Sequence, residues 1–453
     1  MNIAFDIDGV IFPIEDYQLQ EGQKYFKDRK VVNPNGYGIR EVFDCTKKEE
    51  EKFWLKKTFD YNKNVLANAE ISDLISNLRK CGNRVYIISS RAKANEDSTL
   101  GSIMRKLVED ALKRNNIDVD GIIYTSVENM EEDKKNAIKK YNIHAMVEDK
   151  MSVLDAIKDD TQAICFSTRN NQNYEDSKVL RANDVLQLED ILYGLIKDFK
   201  SQKIDLLNYK EIDKLSDDEK IQYFYELRKM YERLIDPYYL EQGEEGCKRV
   251  IGKMQKAFNF IYRPHVIHKE KMPTRGGIIL AANHLHAFDP LLLMTASKMP
   301  YHLLAKDELH NNKVWDKLFT TMGSIFVDNS DPESRKKVKE EAIKTVLNDS
   351  IMMMYPEGTR NKTDKRLLDF HMGTVGIAQV TGAPIYPFGL NADYRMFKNN
   401  LCVAIGDPIY VLPTDNLVKK NEELKDRIDS LLDEVEIYEK CKEFKLTYTE
   451  DSK

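Results

Sequence analysis

Short apolar runs alternate with stretches of helical periodicity over residues 1–195. The runs have the length of buried strands, and helical stretches separate most of them. The strand candidates are, in chain order, NIAFDID, RVYIISS, GIIYTS, HAMVED and QAICFS. Because parallel strands need helical crossovers, this alternation predicts an α/β domain with a mostly parallel, Rossmann-like sheet.

A long polar and aromatic insert, roughly residues 14–84, lies between the first two strand candidates. It is too long for a simple crossover, so we predict that it forms a small helical cap on this domain.

Residues 196–240 are highly charged and helical in pattern. Within them, Ser216-Asp217-Asp218-Glu219 resembles a capping box, the reciprocal pairing of side chains and backbone that starts a helix. We interpret this segment as a connector between two domains.

A second α/β pattern occupies residues 241–453. Its strand candidates are GGIILAAN, YHLLAK, SIFVDN, SIMMMYPEG, APIYPFGL and LCVAIG, and the tail from about residue 415 is charged and helical. The two α/β patterns do not resemble each other in sequence. The chain is therefore predicted to join two different α/β domains.

The composition narrows the classes of function. With 453 residues, 42% of them apolar and 32% charged, the chain has room for two or three globular domains. The net charge of −6 argues against nucleic acid as the main partner. The sequence has no run of eighteen apolar residues, no signal-peptide pattern at its start and no CxxC pair among its scattered cysteines. These features predict a cytoplasmic protein with reduced thiols.

Two aspartates follow the first strand candidate in the run Asp6-Ile7-Asp8-Gly9. The carboxyl end of a parallel strand faces the ligand crevice, and period two places both carboxylates on one side. One carboxylate can attack a phosphoryl group while the other serves as acid and then as base. Gly9 would let the backbone turn sharply past a substrate.

Later strand and helix candidates supply the other groups that such a reaction needs. Ser89 closes RVYIIS and can donate to a phosphate oxygen, and Lys134 can neutralise the phosphate and the nucleophile. Glu148 and Asp149 end HAMVED, where hard carboxylate oxygens suit Mg²⁺. The alternative is an ordinary turn at Asp6–Gly9 and a solvated strand end.

In this order the residues resemble the haloacid dehalogenase superfamily of phosphohydrolases, which also places a cap at the position of the insert. The resemblance implies that Asp6 is the nucleophile and Asp8 the acid and base, with Ser89 and Lys134 binding phosphate. Lys135 is a near-equal candidate for the lysine. By the same resemblance, Mg²⁺ would be held by Asp6, the Asp8 carbonyl, Glu148 and Asp149.

A histidine and an aspartate five residues apart follow a buried strand candidate in AANHLHAFDP. At the end of a strand, a carboxylate can orient a histidine so that it acts as a general base. We expect Asp289 to orient His284 in this way. No protein nucleophile is evident beside them, so the group that loses its proton would be a substrate hydroxyl.

A second polar turn follows about 70 residues later, in SIMMMYPEGTR. Gly358 permits close backbone approach, Thr359 can donate a hydrogen bond, and Arg360 offers a fork suited to phosphate. A phosphate-bearing alcohol would suit both motifs.

The pair NHxxxxD and PEGTR resembles the glycerolipid acyltransferase family, with further matches in HLLAKDEL, GSIFVD and GAPIYPFGL, over about residues 265–410. The resemblance implies that His284 and Asp289 are the catalytic dyad. It also implies that the acceptor binds to Glu357, Gly358, Thr359 and Arg360.

Two positions depart from that family. Asn329 stands where an arginine commonly helps to bind the acceptor phosphate, with Arg335 the next cation along the chain. His371 and Met372 stand where a lysine is usual. The phosphate contacts of the acceptor would therefore differ, so lysophosphatidate itself does not follow from the resemblance.

Residues 248–263 place apolar side chains at helical spacing, with lysines and arginines elsewhere around the helix. A basic amphipathic helix of this kind can lie in a membrane interface. The alternative is that its apolar face packs on the acyltransferase core. The interfacial reading predicts peripheral association with the inner face of the membrane.

The sequence thus predicts a bifunctional enzyme, an Mg²⁺-dependent phosphatase joined to an acyltransferase. The acyl donor is either acyl-CoA or an acyl-carrier protein, and the acceptor is a lipid phosphate. In the alternative hypothesis, the N-terminal domain is a non-catalytic module that binds a phosphorylated metabolite and regulates the acyltransferase.

Overall fold

The computed structural model describes residues 1–202, 204–297, 299–328, 330–391 and 393–444. The chain divides into two compact units, Met1–Gln202 and Lys203–Lys453. Each unit contains a sheet with helices packed against it, so the predicted α/β class is confirmed for both.

In the described part of the first unit, six parallel strands pair in the order β3-β2-β1-β4-β5-β6. The strands are β1 Asn2–Phe5, β2 Arg84–Ser89, β3 Gly121–Tyr124, β4 Ala145–Glu148, β5 Gln162–Phe166 and β6 Leu180–Ala182. The helices are α1 Ile14–Tyr25, α2 Ile39–Phe43, α3 Lys47–Asn64, α4 Ala69–Lys80, α5 Thr99–Arg114, α6 Met130–Lys140, α7 Met151–Ile157 and α8 Val185–Ser201.

The strand order of the first unit is that of a Rossmann-like fold, as predicted. Strand β1 lies between β2 and β4, and its Ile3 and Phe5 are fully buried. The carboxyl ends of β1, β2 and β4 therefore meet at one edge of the sheet. The sequence pattern did not predict the three-residue edge strand β6.

The insert between β1 and β2 has two parts. Helices α1–α3 enclose a small aromatic cluster that includes Phe26, Phe43 and Phe53. Helix α4 instead buries Leu74 and Leu78 in the main core of the unit. The cap therefore ends near the C-terminus of α3, and the rest of the insert is a crossover helix of the main domain.

In the described part of the second unit, seven strands pair in the order β10-β9-β11-β8-β12-β13-β7, and only the β12–β13 pair is antiparallel. The strands are β7 His265–Ile267, β8 Ile278–Ala282, β9 His302–Lys306, β10 Ile325–Val327, β11 Ile351–Met354, β12 Ile385–Leu390 and β13 Cys402–Ile405. The helices are α9 Tyr209–Ile212, α10 Asp217–Arg233, α11 Pro237–Tyr262, α12 Asp289–Ser297, α13 Lys313–Thr321, α14 Pro332–Leu347, α15 Gly373–Thr381 and α16 Leu417–Glu443.

The segment interpreted as a connector contains α10. The capping box at its start is present, because the Ser216 hydroxyl accepts from the Glu219 amide and the Glu219 carboxylate accepts from the Ser216 amide. Phe224, Leu227 and Tyr231 of α10 are buried in a core cluster with residues of β8, β11 and α15. This helix is therefore part of the core of the second unit.

Candidate active sites

A buried lysine joins two carboxylates at the carboxyl edge of the first sheet. Helix α6 places the Lys134 Nζ 2.7 Å from Asp6 Oδ1 and 2.6 Å from Glu148 Oε2. The neighbouring Lys135 turns away and lies 3.6 Å from the Asp160 carboxylate. The structure thus places Lys134, of the two lysine candidates, beside the predicted nucleophile.

The acidic groups at this edge outnumber the lysine. Carboxylate oxygens of Asp6, Glu148 and Asp149 lie within 4.8 Å of one another, and all three residues are buried. Burial raises the pKa of Asp6 to about 7, against the opposing effect of Lys134. Burial also raises the pKa of Asp149, and the charges of Glu148 and Asp6 add to the rise.

This cluster has the chemistry of a divalent-cation site. Among the described residues, Asp149 Oδ1 is buried without a hydrogen-bond partner, so an acceptor is left for another group. A hard dication bound there would offset the excess negative charge. Gly9 keeps the space open, because a Cβ at its φ of +96° would lie 2.1 Å from Asp149 Oδ2.

The side chain of Asp8 belongs to a different group of residues. Arg91 donates to both of its oxygens, from Nε to Oδ2 at 2.8 Å and from Nη2 to Oδ1 at 2.6 Å. The Tyr61 hydroxyl donates to Asp8 Oδ1 at 2.8 Å. The carboxylate of Asp8 therefore lies outside the acidic cluster, unlike those of the other predicted metal ligands. The atom of Asp8 that could bind a metal is its backbone carbonyl oxygen.

Three functional candidates of this site were not found from the sequence. Arg91 follows Ser89, the last residue of β2, and Tyr61 comes from the end of the cap helix α3. Tyr37, in the loop before α2, lies close enough to the cluster that burial, followed by the charges of Asp149 and Glu148, raises its pKa. Only Arg91 could have been proposed from the sequence, because it lies two residues beyond a serine that ends a strand.

In the second unit, a histidine and a buried aspartate pair after strand β8. The His284 Nδ1 lies 2.9 Å from Asp289 Oδ2, and Asp289 is fully buried at the start of α12. A carboxylate only accepts hydrogen bonds, so Nδ1 donates and Nε2 carries the lone pair. The His284 ring stacks on Tyr355 with 4.0 Å between ring centroids.

Further donors fix the Asp289 carboxylate. The amides of Leu285 and His286 both donate to Oδ2 at 2.7 Å, and the Tyr394 hydroxyl donates to Oδ1 at 2.7 Å. Burial and the charge of Asp289 raise the pKa of Tyr394, so its hydroxyl stays protonated and able to donate. Tyr394 was not found from the sequence, because it lies 105 positions beyond Asp289.

Glu357, predicted to bind the acceptor, lies where the loops of the two motifs meet. Its side chain is buried, and its two carboxylate oxygens accept from the backbone amides of His284 at 2.8 Å and Leu368 at 2.9 Å. Register explains the contact, since Ala281 of β8 pairs with Met354 of β11 just before the two motifs. Glu357 therefore connects the loops of the two motifs through hydrogen bonds to their backbones.

The rest of the second motif is accessible. Gly358, Thr359 and Arg360 are exposed, as a binding loop requires. The His371 ring packs against Gly358, where a Cβ would lie 2.7 Å from His371 Cδ2. The other departure, Asn329, lies outside the described residues.

The basic helix predicted over residues 248–263 is the second half of α11. Ile251 and Phe258 are buried in the core cluster around β8, so this part of its apolar face packs on the core, whereas Met254 and Ala257 are exposed. Phe260 is nevertheless 65% exposed. Along the described chain, no helix combines the length and the apolarity needed to cross a bilayer.

Comparison with known proteins gives matches for both units. Residues 263–391 match the profile of the Acyltransferase family. A 1-acyl-sn-glycerol-3-phosphate acyltransferase from Borreliella burgdorferi is 29% identical over 170 residues, which cover 37% of this chain and 67% of the relative.

Solved structures are similar at lower identity. The acyltransferase PlsC from Thermotoga maritima has 18% identity and a TM-score of 0.33, covering 57% of this chain and 91% of its own. The D,D-heptose 1,7-bisphosphate phosphatase from B. bronchiseptica has 13% identity and a TM-score of 0.27, covering 43% and 98%.

Proposed function

We propose that this chain is a bifunctional enzyme, and the match of residues 263–391 to the Acyltransferase family supports the proposal. Its second unit transfers an acyl group to the hydroxyl of a lysophosphatidate-like acceptor, and its first unit hydrolyses phosphomonoesters. The observation that carries the proposal is the His284–Asp289 pair, whose 2.9 Å contact leaves Nε2 free to accept a proton.

The acyl transfer needs one base and no covalent enzyme intermediate. The His284 Nε2 takes the proton of the acceptor hydroxyl as its oxygen attacks the thioester carbonyl. Asp289 stabilises the imidazolium that forms. When the tetrahedral intermediate collapses, the carbon–sulfur bond breaks and the departing thiolate takes the proton from His284. The products are the acylated lipid and the free thiol of coenzyme A or of an acyl-carrier protein.

The exposed loop after β11 supplies the proposed acceptor contacts. Gly358 admits the acceptor close to the backbone, the Thr359 hydroxyl donates to it, and the Arg360 guanidinium pairs with its phosphate. The Glu357 carboxylate keeps this loop beside His284. The loop and the base then act on two ends of one small acceptor.

The phosphatase chemistry is proposed for the Asp6 edge of the first sheet. An Asp6 oxygen attacks phosphorus and the ester bond breaks, with Asp8 giving a proton to the leaving oxygen. Water, deprotonated by Asp8, then cleaves the aspartyl-phosphate to free phosphate. Lys134 and Ser89 bind the phosphoryl oxygens. Mg²⁺, held by Asp6, Glu148, Asp149 and the Asp8 carbonyl, would supply charge neutralisation at the phosphoryl group.

One incubation tests the acyltransferase and asks whether the phosphatase acts on its product. Purified protein is mixed with Mg²⁺, acyl-CoA and lysophosphatidate, and lipids and free phosphate are measured by mass spectrometry and a phosphate assay. Phosphatidate formation supports the acyltransferase, and its conversion to diacylglycerol would place the phosphatase on the same lipid. Absence of acylation with either acyl-CoA or acyl-carrier protein would refute the acceptor assignment.

Tyr394→Phe is expected to lower kcat for acyl transfer by about tenfold, because Asp289 loses a charge-assisted hydrogen bond and holds His284 less firmly. Steady-state kinetics measures this effect. Tyr301→Phe is the matched control, since that buried hydroxyl donates to the Pro290 carbonyl at 2.6 Å rather than to Asp289. An equal loss of rate in both variants would contradict the positioning role of Tyr394.

We also propose that the second unit docks on an anionic lipid surface at the inner face of the membrane. Phe260 and Phe397 are 65% and 63% exposed, with 6.1 Å between their ring centroids. The Phe397 amide donates to the Ile261 carbonyl, which ties the loop of Tyr394 to the end of α11. Exposed Lys253 and Lys256 on α11 add positive charge.

The double variant Phe260→Ser/Phe397→Ser should lower affinity for anionic vesicles by at least about tenfold, because two aromatic side chains no longer enter the interface. Vesicle co-sedimentation measures the affinity. A control with two exposed apolar residues of the first unit, Phe59→Ser/Leu186→Ser, should bind as the unmodified protein does. Unchanged binding of the first variant would refute the docking surface.

A further inference from the structure

Three hydrogen bonds hold the Asp8 carboxylate, which the proposed phosphatase reaction needs as acid and base. Arg91 reaches both oxygens of Asp8, and the Tyr61 hydroxyl adds a third donor. The Arg91 Nη1 donates in turn to the Asn62 side chain of the same cap helix. Arg91 also lies over the Tyr61 ring, 5.5 Å from its centroid.

This arrangement keeps Asp8 away from the reaction. To protonate a leaving oxygen, Asp8 must direct one of its oxygens at the ester. Here both oxygens accept from Arg91, in the segment after β2, and Oδ1 also accepts from Tyr61 of the cap. The substrate must therefore displace at least part of the Arg91–Asp8 pair when it binds.

Displacing the pair with a neutral group would leave a cation without a partner. Arg91 is 7% exposed, and Asp8 supplies the charged oxygens that it contacts. A buried guanidinium that loses its carboxylate is strongly unfavourable unless another anion takes its place. An anionic group on the substrate can make that exchange, and it frees Asp8 at the same time.

The location of Arg91 defines where that anion lies. The phosphoryl group itself is assigned to Asp6, Lys134 and Ser89, and Asp8 faces the leaving group. An anion exchanged onto Arg91 would thus belong to the leaving group, a few bonds from the ester oxygen.

We propose that Arg91 selects phosphomonoesters that carry a second acidic group, a carboxylate or phosphate, next to the ester. The inference rests on the proposed phosphatase function and narrows its substrate class. A diacylglycerol leaving group has no such acid, so phosphatidate would be a poor substrate of this site, and the two units would act on different compounds.

Two probes that differ in one group test the selection. 2-Phosphoglycolate and ethyl phosphate share the phosphoryl ester, and the first has a carboxylate where the second has a methyl group. Titration calorimetry with the Asp6→Asn protein and Mg²⁺ measures binding without turnover. We expect 2-phosphoglycolate to bind about tenfold or more tightly than ethyl phosphate, the effect of one charge-assisted pair.

Variants of Arg91 in the same background then identify the selecting group. Arg91→Gln should bring the two affinities within about twofold, and Arg91→Lys should retain part of the preference. Arg79→Gln is the control, because that surface arginine pairs with Asp118 and Asp120. Melting curves of all variants establish that they are folded.

The outcomes separate this inference from the proposed function. Equal affinities for the two probes, or a preference that survives Arg91→Gln, would overturn the inference. Hydrolysis of both probes at equal rates by the unmodified protein would overturn it while supporting the phosphatase. A preference in binding with no hydrolysis of either probe would support the role of Arg91 and refute the phosphatase.

Discussion

His284→Ala is expected to reduce kcat for acyl transfer by about 10²- to 10⁴-fold, the usual contribution of a positioned general base. The loss follows from the geometry. Nδ1 is held by a fully buried carboxylate, so the ring presents one nitrogen to the acceptor, and alanine leaves no group in its place. The measurement is the initial rate of phosphatidate formation from acyl-CoA and lysophosphatidate, at saturating concentrations of both.

His286→Ala provides the matched control. His286 is two residues away, stacks on Tyr394 with 4.5 Å between ring centroids, and accepts from the Phe288 amide through its Nδ1. Its hydrogen bond to the Asp289 side chain comes from its backbone amide, which alanine keeps, so removal of the ring should cost far less than removal of His284. If both histidine variants kept most of the activity, the general-base role would have to be abandoned.

Asp6→Asn is expected to lower phosphate release by about 10³-fold or more, the scale of losing a covalent nucleophile. Asparagine keeps the shape of the side chain but cannot attack phosphorus. Acyl transfer should stay unchanged, because His284 and its partners lie in the other compact unit. Free phosphate released from 2-phosphoglycolate or a generic phosphoester, and phosphatidate formed in parallel, are the two readouts.

The reciprocal comparison completes this experiment. In the His284→Ala protein, phosphate release should continue at its normal rate, and melting curves should show both variants folded. Phosphate release that persisted in Asp6→Asn would refute the nucleophile. If the unmodified protein released no phosphate, but phosphoesters altered its rate of acyl transfer, the first unit would be a regulatory module.

The sequence was most informative where function depends on strand ends. Asp6, Ser89 and Glu148 each close or follow a buried strand, and parallel pairing of β2, β1 and β4 brings such positions to one edge without further information. His284 and Glu357 meet for the same reason, after β8 and β11. Those strands are short continuous runs of buried apolar residues, so the sequence alone predicted where each of them ends.

Contacts that depend on tertiary packing were not predictable in this way. The Arg91–Asp8 pair spans 83 positions and the Tyr394–Asp289 pair spans 105. Both partners that were missed lie in segments without regular periodicity, and their placement depends on how the loops pack. The packing of α10 in the core was also missed, because the helix is rich in charged residues although its Tyr231 is buried.

The hydrogen bonds of Glu357 have a consequence for how acceptor preference can change in this unit. The single buried side chain of Glu357 accepts from the backbone amide of His284 itself and from that of Leu368, which follows the proposed acceptor loop. A shift of that loop to fit a larger headgroup would therefore move His284 as well and disturb the proton transfer. New headgroup preferences would arise more readily through the exposed side chains of Thr359 and Arg360, with the backbone of the loop kept in register with the base.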